Sequence, residues 1–344
     1  MPQVKVLVVD DSFFIRKRLV EMLNSDPGIN VVDTAENGLE AIEKIARLRP
    51  DVVTLDIEMP IMDGLTALTR IMKENPTPVI MVSTLTEAGS EAALTALMRG
   101  AVDFIHKPTS FGDTKLYNIK EEIVAKVKIA SRARLRLVQS TQPRTIGTTD
   151  VVVGSGKHSN KLVLIGSSTG GPRALLEVLP RLPKNFPAPI AIVQHMPPGP
   201  FIKSISKRLE ADSEINVNEA GNGDRLEPGR ALIAPGGYHM LIEQGQVVKL
   251  NHGPSVNSVR PSVDVMMSSA AAVYGSNIIG VILTGMGHDG ADGMALIKKK
   301  GGRTIAEDES TCVVYGMSRS VIENGDADRA VPIERIASEI VNML

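Results

Sequence analysis

Residues 161–179 read KLVLIGSSTGGPRALLEVL, and the rest of the chain is interpreted from this stretch. An apolar run, 162–165, stops at Gly166. Two serines, a threonine and two more glycines follow, and Pro172 then opens a segment with helical apolar spacing. A strand that turns directly into a helix and carries hydroxyls on the bend has three explanations. It is a phosphate cradle, a nucleophile raised on a strained turn, or only a tight corner. A phosphate cradle would read G-x-x-x-x-G-K-[ST], or G-x-G-x-x-G with an acid about twenty residues on, and neither fits. The pattern G-x-S-x-G does fit, at Gly166, Ser168 and Gly170, in its expected strand–turn–helix context. Amides at the helix start would lie near the hydroxyl, where an oxyanion would need them.

Outward from that turn, strands are expected at 162–165, 190–193, 231–234, 247–249, 278–283 and 303–306. Helices are expected at 173–179, 201–210, 263–273 and 292–299. The alternation predicts a mainly parallel α/β domain, with an antiparallel hairpin near 238–250. The first part of the chain alternates in the same way. Strands are expected at 4–9, 30–33, 52–55, 79–82 and 102–105. Helices are expected at 13–23, 39–48, after Gly64, at 91–99 and at 117–129. From Ala130 the sequence turns basic and then rich in Ser, Thr and Gly, which reads as a linker. The expected organisation is a flavodoxin-like (βα)5 domain at 1–122, a helix end and linker at 123–154, and a doubly wound α/β catalytic domain at 155–344.

The bulk numbers limit the function classes. The chain has 344 residues, enough for two domains, and 43% apolar residues, enough for globular cores. A net charge of -1 gives no overall bias toward nucleic acid or anionic membrane, and no basic recognition helix is evident. A single cysteine, Cys312, excludes an intrachain disulfide and fits a reducing compartment. With no signal-peptide core and no long apolar run, a cytoplasmic protein without membrane insertion is expected.

In the first domain, polar groups stand where the apolar runs end: Asp10 and Asp11, Asp56, Ser83 and Thr84, and Lys107 before Pro108. In an open parallel sheet these groups gather at one edge. Three carboxylates there repel each other unless a cation sits among them, and oxygen ligands in a wet site suit Mg²⁺. A lysine beside them suits a transferred phosphoryl group. The segments VLVVDDS, TLDIEMPIMDG, PVIMVST and FIHKP resemble the response-regulator receiver family over roughly residues 1–120. The resemblance implies that Asp56 accepts phosphate from a histidine kinase. It also implies that Asp11, Asp56 and the backbone carbonyl of Glu58 hold Mg²⁺, with Asp10 assisting. Ser83 would bond the phosphoryl group, Lys107 would pair with it, and Phe104 would be the aromatic that moves on activation.

In the second domain a serine nucleophile needs a base and an orienting acid. Of six histidines, His195 in AIVQHMPPGP ends a strand in the same sheet as Ser168. His106, His158, His239, His252 and His288 are the rivals. The acid candidate is Asp289, on the Gly-rich turn of VILTGMGHDGADGM. Asp292 is its rival, Asp264 reads as the first turn of a helix, and Asp224 reads as a turn residue. The order Ser, His, Asp is not that of an α/β-hydrolase.

The segments IGSSTGGP, VQHMPPG, IAPGGYHM and ILTGMGHDGADGM resemble the chemotaxis-specific protein-glutamate methylesterase (CheB) family over roughly 155–344. The resemblance implies hydrolysis of glutamate methyl esters on chemoreceptor cytoplasmic domains, with methanol released, and also glutamine deamidation. Ser168 would be the nucleophile, His195 the base and Asp289 its orienter, with backbone amides near Thr169 and Met286 as oxyanion donors. No cofactor is implied for the ester reaction, and phosphorylation at Asp56 would relieve a block on it. A monomer with no nucleic-acid partner is expected. Two departures stand out: Ser167 precedes the nucleophile where the family commonly has alanine, and His288 precedes Asp289. Outside the motifs, Arg260 reads as a receptor contact or a structural ion pair, Cys312 as a small core residue, and Tyr238 and His239 as possible cleft lining.

Overall fold

The computed structural model describes residues 3–83, 87–107, 113–135 and 159–344, without the side chains of 83, 87, 88, 106 and 113–119. Thr84, Pro108, His158 and most of the expected linker lie outside the described residues, as do the side chains of Ser83 and His106. The chain forms two compact units that divide between Gln142 and Pro143.

The first unit is built on strands β1 (Val4–Val9), β2 (Ile29–Ala35), β3 (Val52–Asp56), β4 (Val79–Ser83) and β5 (Asp103–His106). They form one parallel sheet in the order β2-β1-β3-β4-β5. Helices α1 (Phe13–Asn24), α2 (Gly38–Leu48), α3 (Gly64–Glu74), α4 (Glu87–Met98) and α5 (Asp113–Ala130) alternate with them. Side chains fix where the helices start. Asn37 accepts from the amides of Leu39 and Glu40 at 3.1 and 3.0 Å, and Asp63 accepts from the Thr66 amide at 2.9 Å. The order reverses at β1 and β3, and their carboxyl ends are where such a sheet binds ligands.

The second unit has a seven-stranded sheet, in the order β14-β13-β12-β6-β7-β9-β8, in which every pairing is parallel. The strands are β6 (Leu162–Ser167), β7 (Ile190–Gln194), β8 (Asn216–Glu219), β9 (Arg230–Ile233), β12 (Ile278–Ile282), β13 (Arg303–Glu307) and β14 (Arg329–Val331). Its helices are α6 (Gly171–Val178), α7 (Phe201–Asp212), α8 (Val263–Tyr274), α9 (Ala291–Lys299), α10 (Met317–Glu323) and α11 (Ile333–Asn342). The expected hairpin is present as β10 (His239–Glu243) paired antiparallel with β11 (Val247–Asn251), which form a separate sheet. The sequence reading lacked β8, β14, α10, the ten-residue α11 and a 3-10 turn at Leu179–Arg181. Strand β8 shows why. Its burial alternates around one inward Val217, and four residues carry too little periodicity to be seen.

Candidate active site

Strand β6 lies between β12 and β7, so the turns that follow these three strands are neighbours. Backbone bonds run on beyond the strands. Leu283 N donates to Gly166 O at 2.9 Å, Ser168 N to Thr284 O at 3.1 Å, and His195 N to Ser167 O at 2.9 Å. The glycines of the G-x-S-x-G turn have steric reasons. Gly170 has φ 80°, and a Cβ on it would stand 2.7 Å from Val313 Cβ. A Cβ on Gly166 would stand 2.5 Å from Val263 Cγ1, where α8 begins.

The two adjacent serines are not equivalent. Ser167 is fully buried and donates its hydroxyl to Gln194 Oε1 at 2.7 Å. Gln194 Nε2 in turn donates to the carbonyls of Ser168 and His195 at 2.9 and 3.0 Å. Ser168 is partly exposed. Its amide is held by Thr284 O, and its carbonyl by Gly171 N at 2.8 Å. The backbone of Ser168 is therefore fixed on both sides. Gly285 closes in from β12: a Cβ there would lie 2.7 Å from Ser168 Cβ.

His195 Nε2 is 2.7 Å from Asp289 Oδ2. Asp289 is 3% exposed and collects four further donors: Val263 N at 2.7 Å, Ser262 Oγ at 2.7 Å, Asn257 Nδ2 at 3.0 Å and Asp264 N at 3.3 Å. Burial opposes its charge. The hydrogen bond and charge of His195, with Asn257 and Ser262, overcome that and hold its pKa well below the usual carboxylate range.

The rival residues are placed elsewhere. His239 is 2% exposed and spends both ring nitrogens on backbone, with Nε2 2.9 Å from Pro254 O and Nδ1 accepting from Ser262 N at 3.2 Å. His252 packs against Tyr238, and His288 and Asp292 are exposed. Asp264 lies in the first turn of α8, as its sequence suggests. Asp224 accepts from Gly221 N at 2.8 Å within a turn. Arg260 Nη1 donates to the carbonyls of His252 and Gly253 at 3.1 and 2.7 Å rather than to a carboxylate. Cys312 is buried, and burial pushes its thiol far up.

Sequence reasoning missed several residues that support this cluster. Glu307, 1% exposed at the end of β13, accepts from Thr284 N at 2.7 Å and from Thr311 Oγ1 at 2.9 Å. Thr284 Oγ1 stands 3.0 Å from Thr169 O and 2.9 Å from Val314 N. Thr284 thereby ties the turn carrying Met286, an exposed residue, to the turn carrying Thr169. Nothing in the sequence marks Gln194, Asn257, Ser262, Thr284 or Glu307, because amides, hydroxyls and single acids are common at strand ends.

The first unit holds its own polar site at the ends of β1, β3 and β5. Lys107 Nζ is 2.6 Å from Asp56 Oδ2 and 3.1 Å from Asp10 Oδ2. The Asp56 contact is a hydrogen bond. The Asp10 contact is an ion pair by distance alone, and Asp10 Oδ2 is buried with no hydrogen-bond donor. Asp56 Oδ1 accepts from Ile57 N at 2.7 Å. Burial, reinforced by Asp10, raises Asp56 to about 6 even though Lys107 pulls it down. Carboxylate oxygens of Asp10, Asp11 and Asp56 all lie within 4.8 Å of one another. Three converging carboxylates, two of them buried and sharing a single lysine, fit a divalent cation with oxygen ligands. Phe104 is 3% exposed on β5, with Lys126 Nζ 5.3 Å from its ring centroid.

The fold and the two sites define a response regulator with a hydrolase-like second domain. The response regulator receiver domain family matches residues 6–117, and the CheB methylesterase family matches residues 163–340. A relative from Symbiobacterium thermophilum, named protein-glutamate methylesterase/protein-glutamine glutaminase, is 49% identical over 98% of this chain and 96% of its own. One of the same name from Archaeoglobus fulgidus is 49% identical over 99% and 98%. The crystal structure of the Thermotoga maritima CheB methylesterase catalytic domain is 50% identical, with a TM-score of 0.53. It covers 54% of this chain and 100% of that one. The chain belongs to the CheB methylesterase family and carries a receiver domain in front.

Proposed function

We propose that the chain hydrolyses glutamate methyl esters on chemoreceptor cytoplasmic domains, and deamidates glutamines there, under control of phosphorylation at Asp56. Residues 1–122 serve as the regulator and 155–344 as the serine hydrolase. The observation that carries the reading is the His195–Asp289 hydrogen bond, made between the ends of the two strands that flank β6, whose own end carries Ser168.

His195 gives Nε2 to Asp289, so Nδ1 is the atom that takes the Ser168 proton. Asp289 stays ionised, fixes the ring and stabilises the imidazolium. The serine oxygen then attacks the ester carbonyl, and the tetrahedral oxyanion is met by the amides of Thr169 and Met286. Methanol, or ammonia from an amide, leaves with the proton from His195. Water then repeats the sequence on the acyl-enzyme.

In the receiver, Asp56 attacks the phosphoryl group supplied by a histidine kinase. Asp11, Asp56 and the Glu58 carbonyl would hold Mg²⁺, with Asp10 beside them. Mg²⁺ held there would supply positive charge to offset that of the acceptor and the phosphoryl oxygens. Lys107 already lies on Asp56 and pairs with the new phosphoryl oxygen, while Ser83 donates to it and Phe104 responds.

Methanol release from methylated receptor membranes, with Mg²⁺ and with or without a small phosphodonor, tests the reading. It requires release that rises with the phosphodonor and vanishes in Ser168→Ala. Release that persists in Ser168→Ala overturns it. A panel of soluble esters turned over as fast as receptor would make the protein a general esterase instead.

A further inference from the structure

Helices α8 and α9 begin side by side, and each start is closed by a carboxylate from the other's segment. Asp289 stands just ahead of α9. It accepts from the α8 amides of Val263 and Asp264 at 2.7 and 3.3 Å, and from the α8 capping hydroxyl of Ser262 at 2.7 Å. Asp264, in the first turn of α8, accepts from Gly293 N of α9 at 2.7 Å. Unpaired amides at helix starts need acceptors, and the helix dipoles favour negative ones. Asn257 links the two acids, donating Nδ2 to Asp264 Oδ2 at 2.9 Å and to Asp289 Oδ1 at 3.0 Å.

The clasp has no slack. Asp264 and Asp289 are 8% and 3% exposed. A Cβ on Gly293 would stand 2.6 Å from Met267 Cβ, and one on Gly290 would stand 2.6 Å from Ile282 Cδ1. Two like charges repel at this range, and the backbone amides with the shared Asn257 donor offset that repulsion. The turn carrying Asp289 is thus fastened from both ends, by Asp289 to α8 and by Asp264 to the first turn of α9.

We propose that Asp264 is a positioning residue for the hydrolysis. By tying the start of α9 to α8, it fixes where Asp289 stands and, through Asp289, how His195 is turned. The inference rests on the assignment of Ser168, His195 and Asp289 above. Without the Asp264 carboxylate, the Gly293 amide loses its acceptor and Asn257 is left with one partner. The turn then relaxes, and the bond from Asp289 to His195 loses its geometry.

The test measures kcat and KM for methanol release by the full-length chain on methylated receptor membranes, comparing wild type, Asp264→Ala, Asp264→Asn and Ser168→Ala. Assays run below the unfolding transition of every variant. Asn keeps an acceptor oxygen for Gly293, and Ala does not. Asp264→Ala should lower kcat about tenfold or more with KM nearly unchanged, and Asp264→Asn should recover most of the loss. If Asp264→Ala does not fold, Asp264→Ser takes its place. A folded Ala or Ser variant with wild-type kcat overturns the proposal, and so does a loss that Asn leaves unrepaired. Activity surviving in Ser168→Ala would instead remove the catalytic assignment. A dead Ser168→Ala beside a normal Asp264→Ala removes only the positioning role.

Discussion

The Ser167 hydroxyl donates to Gln194 Oε1 at 2.7 Å within the fully buried end of β6, so the first of the two adjacent serines is committed to the sheet. Ser167→Ala should leave that amide oxygen unpaired and destabilise the second unit by about 1–3 kcal/mol, with hydrolysis changed only a few-fold. Ser168→Ala should leave stability nearly unchanged and lower kcat about 10⁴-fold or more. Denaturant titration paired with a methanol assay separates the two. The opposite pattern would move the nucleophile to Ser167.

The raised pKa of Asp56 has a definite sign in stability. Its folded value of about 6 exceeds the ordinary 3.8, so the folded state binds the proton more tightly. Without Mg²⁺, the first unit should lose stability as pH rises from about 4 to about 6, and then level off. The gap, which already contains the opposing pull of Lys107, corresponds to about 3 kcal/mol as an upper bound. Asp56→Asn should therefore stabilise the Mg²⁺-free protein at pH 7 and abolish its stabilisation by Mg²⁺. Thermal unfolding of the first unit across that pH range would contradict this if wild type gained stability as pH rose.

Gly285 and Gly64 should tolerate no side chain. A Cβ on Gly285 would stand 2.4 Å from Met317 Sδ and 2.7 Å from Ser168 Cβ. Gly285→Ala should displace Ser168, the proposed nucleophile, and cost about a hundredfold in kcat. A Cβ on Gly64 would stand 1.9 Å from Asp56 O, so Gly64→Ala should destabilise the first unit and impair phosphorylation. Acyl-phosphate formation at Asp56 from a small phosphodonor reads out the second case, and wild-type levels would refute it.

Glu307 should matter although it is remote from the reacting bond. Glu307→Leu leaves the Thr284 amide and the Thr311 hydroxyl without their acceptor, which should cost about 1–3 kcal/mol for each buried donor. Because Thr284 leads into Gly285 and Met286, kcat should fall more than stability alone explains. Equal kcat in folded wild type and variant would show the buttress to be purely structural.

Both parallel sheets and most of their helices were legible because long buried runs and capping residues repeat a local pattern. The Asp56–Lys107 pair, and the placing of Ser168 and His195 at neighbouring strand ends, were legible for a related reason. Parallel strands bring their carboxyl ends to one edge, so a polar residue just past an apolar run has a known address. Hidden were contacts that depend on which strands become neighbours. That β12 borders β6 decides whether Asp289 meets His195, and no local pattern states it. The reciprocal capping of α8 and α9 was hidden too, since Asp264 alone reads as an ordinary first-turn residue and Asp289 as the acid of a Gly-rich turn. Which serine is buried depends on the side chain of Gln194, whose partner no spacing announces.

The interleaved strand order has a consequence during synthesis. His195 and Asp289 are separated by 94 positions, and β12 must insert beside the early strand β6 before they meet. A nascent chain that ends before β12 holds Ser168 and His195 but neither the acid nor the Gly285 turn, and it leaves β6 with an open edge. Contacts this distant in sequence form late. The ribosome therefore releases nearly the whole polypeptide before it can cleave an ester, and prematurely terminated fragments should be inert rather than unregulated.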